Sequence, residues 1–139
     1  MNTYQVYQIP FTAAMCNYIN TVGHEAASKS ETHPELRAYY ATYQSFGVSP
    51  DSLGEGGEHL AAYKPAYRFD ASKMGLDDVF AAGNGFAPSG VKTTRLSDLV
   101  RSVSVGDLIC ACDEQRWYLV AGAGFVEVTD VVHSSGWEG

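Results

Sequence analysis

The sequence predicts an α+β domain, with an antiparallel β-sheet made of an N-terminal strand and a C-terminal meander. Three observations predict it: strand-like alternation in residues 3–9, helical periodicity in residues 11–46, and short alternating runs separated by turns in residues 102–128. Two longer helices and one short helix are expected to cover one face of this sheet. At 139 residues, the chain can form a single domain whose core needs no disulfide or metal.

The N-terminal part predicts a strand followed by a helical hairpin. The strand is expected to stop at Pro10, because proline has no N–H for the sheet ladder. Two helices within residues 11–46 then form a hairpin that is inserted between this strand and the rest of the domain. The second helix is expected to begin with a capping box of Thr32 and Glu35 and to end at Gly47. Its expected buried stripe consists of Leu36, Tyr40, Tyr43 and Phe46.

The middle of the chain predicts an edge strand, a short helix and a loop. Residues 61–70 are expected to form the edge strand. Pro65 has no N–H to donate to a neighbouring strand, which restricts the segment to the edge of the sheet. The stretch "GLDDVFAAGNG" predicts a short helix that ends at Gly83. Residues 86–99 are expected to form a loop. The residues of the short helix that should point inward are Leu76, Val79 and Phe80.

The C-terminal meander is the best-patterned part of the sequence. Alternation begins at residues 102–105, breaks at Gly106 and Asp107, and resumes in two further runs around the turn "DEQ". Short connections of this kind join antiparallel neighbours. Residues 130–139 are expected to fray unless Trp137 docks on the domain.

Charge and cysteine usage restrict the classes of partner. Nine Lys and Arg against sixteen Asp and Glu give a net charge of −7, which disfavours nonspecific binding to nucleic acid because phosphates would be repelled. No run of about 18 apolar residues indicates a membrane span, and the N-terminus lacks the pattern of a signal peptide. The three cysteines are an odd number, which favours a reducing compartment and hence the cytoplasm.

Two motifs suggest a cofactor or metal and are better explained otherwise. The stretch from Gly122 to Gly124 follows a strand as a dinucleotide loop does, but Glu127 stands where the third glycine belongs. Cys110 and Cys112 supply half of a zinc site without a nearby histidine, and they are expected to pack as small apolar side chains. The sequence therefore predicts no cofactor and no metal.

Catalytic residues are not predicted either. The four histidines stand in separate contexts, and none belongs to a nucleophile or metal motif. Asp107 could act as a general base, but a Gly-Asp pair between two strands is more typical of a turn or bulge. Asp77 and Asp78 could hold a cation, but two acids in the first turn of a helix are explained by the helix dipole. A binding protein is thus preferred to an enzyme, with a small metal- or thiol-dependent enzyme using Cys110 and Cys112 as an alternative.

One basic and aromatic stretch raises a nucleic-acid hypothesis. Lys64, Tyr67 and Arg68 lie close together, with Phe69 and Lys73 following them. Aromatic rings can stack on bases while cations neutralise the backbone, so these residues form a candidate site for single-stranded nucleic acid. The acidic net charge weighs against it.

The stretches "RSVSVGDLI" and "GFVEV" together resemble the signature of YodL-like domains. The strand "YQVYQI" and the short helix "LDDVFAAGN" are similar to the corresponding parts of that family, so the resemblance covers the first strand and roughly residues 63–128. It implies a small accessory protein of a phage or other mobile element, and it assigns no catalytic residue. The matching signature positions are Ser102, Ser104, Gly106, Asp107, Gly124, Phe125 and Glu127.

The leading functional hypothesis is a non-catalytic protein that binds a host protein, with inhibition of a host defence system as its role by analogy. Nine tyrosines support it, because tyrosine is a common interface anchor. Glu35 and Tyr39 on the outer face of the second helix are the expected contacts, together with Lys64, Tyr67 and Arg68. Pairing of two copies through an exposed edge strand is left open.

Overall fold

The computed structural model of the protein describes residues 2–43 and 47–139. A six-stranded sheet lies at its centre, with the strand order β3-β2-β1-β4-β5-β6 and antiparallel pairing throughout. The predicted α+β class, with the N-terminal strand beside the C-terminal meander, is confirmed. The strands are β1 (Asn2–Gln8), β2 (Lys64–Ala71), β3 (Lys92–Arg95), β4 (Leu108–Ala111), β5 (Arg116–Ala121) and β6 (Gly124–Glu127).

Helices lie between the strands and after the last of them. The region predicted as a two-helix hairpin contains three helices, because Gly23 adopts a φ of 84° and separates the first two. Phe46, expected in the buried stripe, lies outside the described residues. None of the helices described is both long and apolar enough to cross a membrane. The helices are α1 (Ala13–Val22), α2 (His24–Ser28), α3 (Pro34–Thr42), α4 (Leu76–Gly83) and α5 (Thr129–Ser135), with two 3-10 segments, Pro50–Leu53 and Glu55–Ala62.

The start of α3 differs from the predicted capping box. His33 is the N-cap residue, and Pro34 is the first helical residue. Helix α3 therefore begins one residue later than a cap at Thr32 requires. The predicted reciprocal hydrogen bonds between Thr32 and Glu35 do not form. Instead, the backbone N–H of His33 donates to Ser30 Oγ at 3.0 Å, while Thr32 Oγ1 lies 3.0 Å from His33 Nδ1.

Strand β2 is an interior strand, so the prediction of an edge strand is wrong. It pairs with β1 on one side and with β3 on the other, and β3 lies in the stretch predicted as a loop. Pro65 is tolerated because it sits opposite Tyr7 at a register shift, whereas β3 pairs only with residues 67–70. β3 and β6 are the edges of the sheet, and a dimer through an edge strand stays a prediction.

Residues 102–105 form no strand, contrary to the expected start of the meander. The backbone N–H of Asp107 donates to the carbonyl of Ser104 at 3.1 Å, and this turn leads into β4. Val103 is buried against α4 rather than paired with a neighbouring strand. The alternation of this stretch therefore reflects burial of one valine in a loop.

Both faces of the sheet are covered, so the expectation of helices on one face is wrong. One apolar cluster joins Tyr7 and Leu108 of the sheet to α1, α2, α3, the 3-10 segments and α5. The second joins Val6 and Ile109 on the opposite face to Val79 of α4. β1 is apolar on both faces, and each face therefore needs a cover. Phe80, expected inward, is 40% exposed.

The C-terminus is ordered by Trp137. Its ring lies 5.3 Å from Tyr7 and 5.2 Å from Trp117, measured between ring centroids. Helix α5 precedes it and buries Val132 in the same cluster. Docking of Trp137 was the condition under which residues 130–139 would not fray, and that condition is met.

Candidate functional site

A groove of about 430 Å³ opens between α3, the second 3-10 segment and the chain that joins β1 to α1. Its apolar surface includes Met15 and Ala38, which are each 1% exposed. Two prolines, Pro10 and Pro34, stand at the ends of the segments that border it and stiffen the backbone there. An apolar groove with a few polar groups on its walls is the usual form of a binding site.

Five titratable side chains line this groove: Glu35, Arg37, Glu58, His59 and Lys64. Burial lowers the pKa of His59, and the nearby Arg37 lowers it further, while the carboxylate of Glu58 acts in the opposite direction. Burial at this position therefore favours the neutral imidazole. His59 Nε2 lies 4.0 Å from Glu58 Oε1.

The structure brings two of the predicted contact residues, Glu35 and Lys64, into one groove. Glu35 lines it from α3 and Lys64 from the start of β2, although the two residues are distant in the sequence. Tyr39 follows Glu35 by one helical turn and lies 5.2 Å from the ring of Phe11, which is 38% exposed. An aromatic pair therefore lies next to Pro10, at the end of the groove that this residue lines.

Tyr67 and Arg68 lie elsewhere, on β2. The hydroxyl of Tyr67 donates to the carbonyl of Arg101 at 3.0 Å, and its ring stacks on Phe69, which is fully buried. Arg68 forms an ion pair with Asp70 at 3.0 Å. These contacts engage the side chains of Tyr67 and Arg68 within the protein, so the geometry does not favour stacking of single-stranded nucleic acid on these two residues.

Asp107 of the signature is the centre of a buried hydrogen-bond network. Its carboxylate accepts from Gln8 Nε2 at 2.9 Å, from the backbone N–H of Ser104 at 3.0 Å and from the hydroxyl of Tyr43. Burial raises the pKa of Asp107 to about 6, although the three donated hydrogen bonds and Arg101 act to lower it. The network joins β1, the end of α3 and the loop before β4.

The remaining signature residues around Asp107 have structural roles. Gly106 has a φ of 98°, and a Cβ there would lie 2.8 Å from Tyr43 Cδ1 and 2.9 Å from the carbonyl oxygen of Thr42. Only glycine allows this close approach. The carbonyl of Ser102 accepts from Gln8 Nε2 at 3.4 Å.

The second part of the signature forms the β5–β6 hairpin and its exit. Gly124 has a φ of 100° directly after the turn, a conformation that favours glycine. Phe125 packs against the apolar cluster under α4. Glu127 accepts from Thr129 Oγ1 at 2.8 Å, and that oxygen accepts from the backbone N–H of Trp117. The signature thus builds the platform and contributes no side chain to the groove.

The two cysteines of β4 and its turn lie against the apolar cluster around Tyr7. Cys110 is 8% exposed in the cluster around Tyr7, and Cys112 is half-buried against the same cluster. Cys112 Sγ lies 3.7 Å from the carbonyl oxygen of Cys110. Within residues 2–43 and 47–139, no three His, Cys, Asp or Glu side chains are grouped so as to hold a metal ion.

Three of the titratable residues that line the groove were not predicted as contacts: Arg37, Glu58 and His59. Arg37 was recognisable in principle, since it lies three residues after Pro34 and one before Ala38 on the wall that α3 contributes. His59 carried no such signal, because its position depends on how the second 3-10 segment packs against α3.

No protein-family model matches this chain, and no curated protein or solved structure matches it either. The resemblance to YodL-like domains therefore remains a prediction from the quoted motifs.

Proposed function

We propose that this chain is a non-catalytic binding protein that recognises a segment of another protein in the groove beside α3. One observation carries the proposal: the apolar groove of about 430 Å³ brings Glu35 and Lys64, both predicted contacts, into one site. Its dimensions suit a few side chains of an inserted segment. Phe11 and Tyr39 add an aromatic pair next to the segment that carries Pro10.

The motif resemblance supports a narrower form of this proposal. In that form the chain is an accessory protein of a phage or related mobile element, and its partner is a host protein in the cytoplasm. Inhibition of a host defence system is the role that follows by analogy with other small proteins of such elements.

The proposal is tested by affinity capture with a variant that fills the groove. Ala61 is exposed and lines the groove, so Ala61→Trp places a large ring there without disturbing the core. Ala123→Trp is the matched control, because Ala123 is equally exposed but lies in the β5–β6 turn. Tagged wild type and both variants are incubated with bacterial lysate, with and without nuclease.

We expect a stoichiometric protein companion that resists nuclease, is lost with Ala61→Trp and is retained with Ala123→Trp. A companion that Ala61→Trp retains would place the interface elsewhere and contradict the proposal. Companions that disappear on nuclease treatment would instead support the single-strand hypothesis, and charge reversal of Arg68 would then be expected to abolish them.

A further inference from the structure

Arg37 is an unsatisfied donor in the wall of the groove. Its Nε is buried and has no hydrogen-bond partner, and within the described part of the chain its guanidinium forms no ion pair. A buried donor without an acceptor is costly, and native proteins seldom leave one unpaired. The positive charge of Arg37 acts on its neighbours in the groove, because it helps to lower the pKa of His59.

A second cation of the groove is also available. Lys64 is exposed, and among the described residues the only hydrogen bond of its ammonium group is a long one of 3.4 Å to the carbonyl of Ala61. The two glutamates of the groove do not neutralise these cations at short range, since neither forms an ion pair with Arg37 or Lys64. Glu58 instead lies beside His59, with 53% of its side chain exposed to water.

We propose that the segment bound in the groove presents a carboxylate side chain to Arg37, with Lys64 as the second cation. This inference rests on the proposed function and specifies its ligand chemistry. A guanidinium offers a planar fork of N–H donors that a carboxylate matches, and the pair is strongest where water is excluded. Apolar side chains next to the acid would contact Pro34 and Ala61, which are exposed apolar residues of the groove lining.

The test is selection of a displayed random peptide library on the wild-type protein. We expect the selected peptides to share one Asp or Glu with apolar neighbours. Synthetic copies in which this acid is replaced by its amide should bind about tenfold more weakly, because a charge-assisted hydrogen bond is lost. In Arg37→Gln, the acid and amide peptides should bind almost equally.

Two further variants separate recognition from folding. Arg116→Gln removes an exposed arginine of β5 that does not line the groove, and it should retain the tenfold preference for the acid. Arg37→Lys keeps the charge but not the planar fork, and it should retain part of the preference. Circular dichroism and the urea midpoint establish that each variant is folded.

The outcomes distinguish this inference from the proposed function. Peptides that lack an acid, yet lose binding in Ala61→Trp, would overturn the role of Arg37 and leave the groove as the binding site. Retention of the acid preference in Arg37→Gln would do the same. If no selected peptide is sensitive to Ala61→Trp, both the proposed function and the carboxylate inference fail.

Discussion

Acidification is expected to stabilise this protein through Asp107. The carboxyl group has no exposed surface, and its pKa is about 6 because burial outweighs the hydrogen bonds that it accepts. In the unfolded chain the pKa of an aspartate is about 3.9. Between these values the folded state binds more protons than the unfolded state, so the free energy of unfolding falls as the pH rises.

The size of the effect follows from the difference in pKa. A pKa of about 6 in the folded state lies roughly two units above the unfolded value, which corresponds to about 3 kcal/mol over the whole window. At neutral pH Asp107 is ionised and this stability is lost in full. Roughly half of it is regained when the pH falls to about 5. This contribution is a substantial fraction of the total free energy of unfolding of a small domain.

The assay compares wild type with Asp107→Asn in urea unfolding between pH 4 and pH 7. Trp117 and Trp137 report unfolding by fluorescence, since both rings lie in the apolar cluster around Tyr7. Asparagine does not titrate, so subtracting its pH profile removes the contributions of the other acids, including Asp70, whose pKa is lowered by its bonds to Arg68 and Thr3. A stability difference between the two proteins that stays constant from pH 4 to pH 7 would refute the reasoning.

Two further substitutions test the packing around the platform. Gly106→Ala should cost about 2–3 kcal/mol in thermal unfolding, because of its φ of 98° and the 2.8 Å approach to Tyr43, whereas Gly122→Ala, with open space around it, should change stability by less than about 0.5 kcal/mol. Equal melting temperatures for the two variants would contradict the proposed close approach. Trp137→Ala should cost about 2 kcal/mol in urea, since it removes ring contacts with Tyr7 and Trp117. A loss below about 0.5 kcal/mol would mean that the tail does not dock.

Local patterns predicted much of the fold. The N-terminal strand, the short helix Leu76–Gly83 and the three strands at the C-terminus were predicted because hydrophobic periodicity and turn residues act over a few positions. The failures have physical reasons too. β3 has the burial pattern of an exposed edge, so its four residues carry no apolar alternation. Phe80 continues the apolar stripe of α4 in the sequence but is 40% exposed, because local periodicity does not show how far the neighbouring surface extends.

By itself, the sequence determined the α+β class and the antiparallel meander. Only the tertiary structure decided that Glu35, Arg37 and Lys64 share a groove. It also decided that Asp107 meets Gln8, which lies 99 positions away. Periodicity is a local property of the chain, whereas a groove or a buried carboxylate depends on which distant segments pack together, and that choice is made by the whole core.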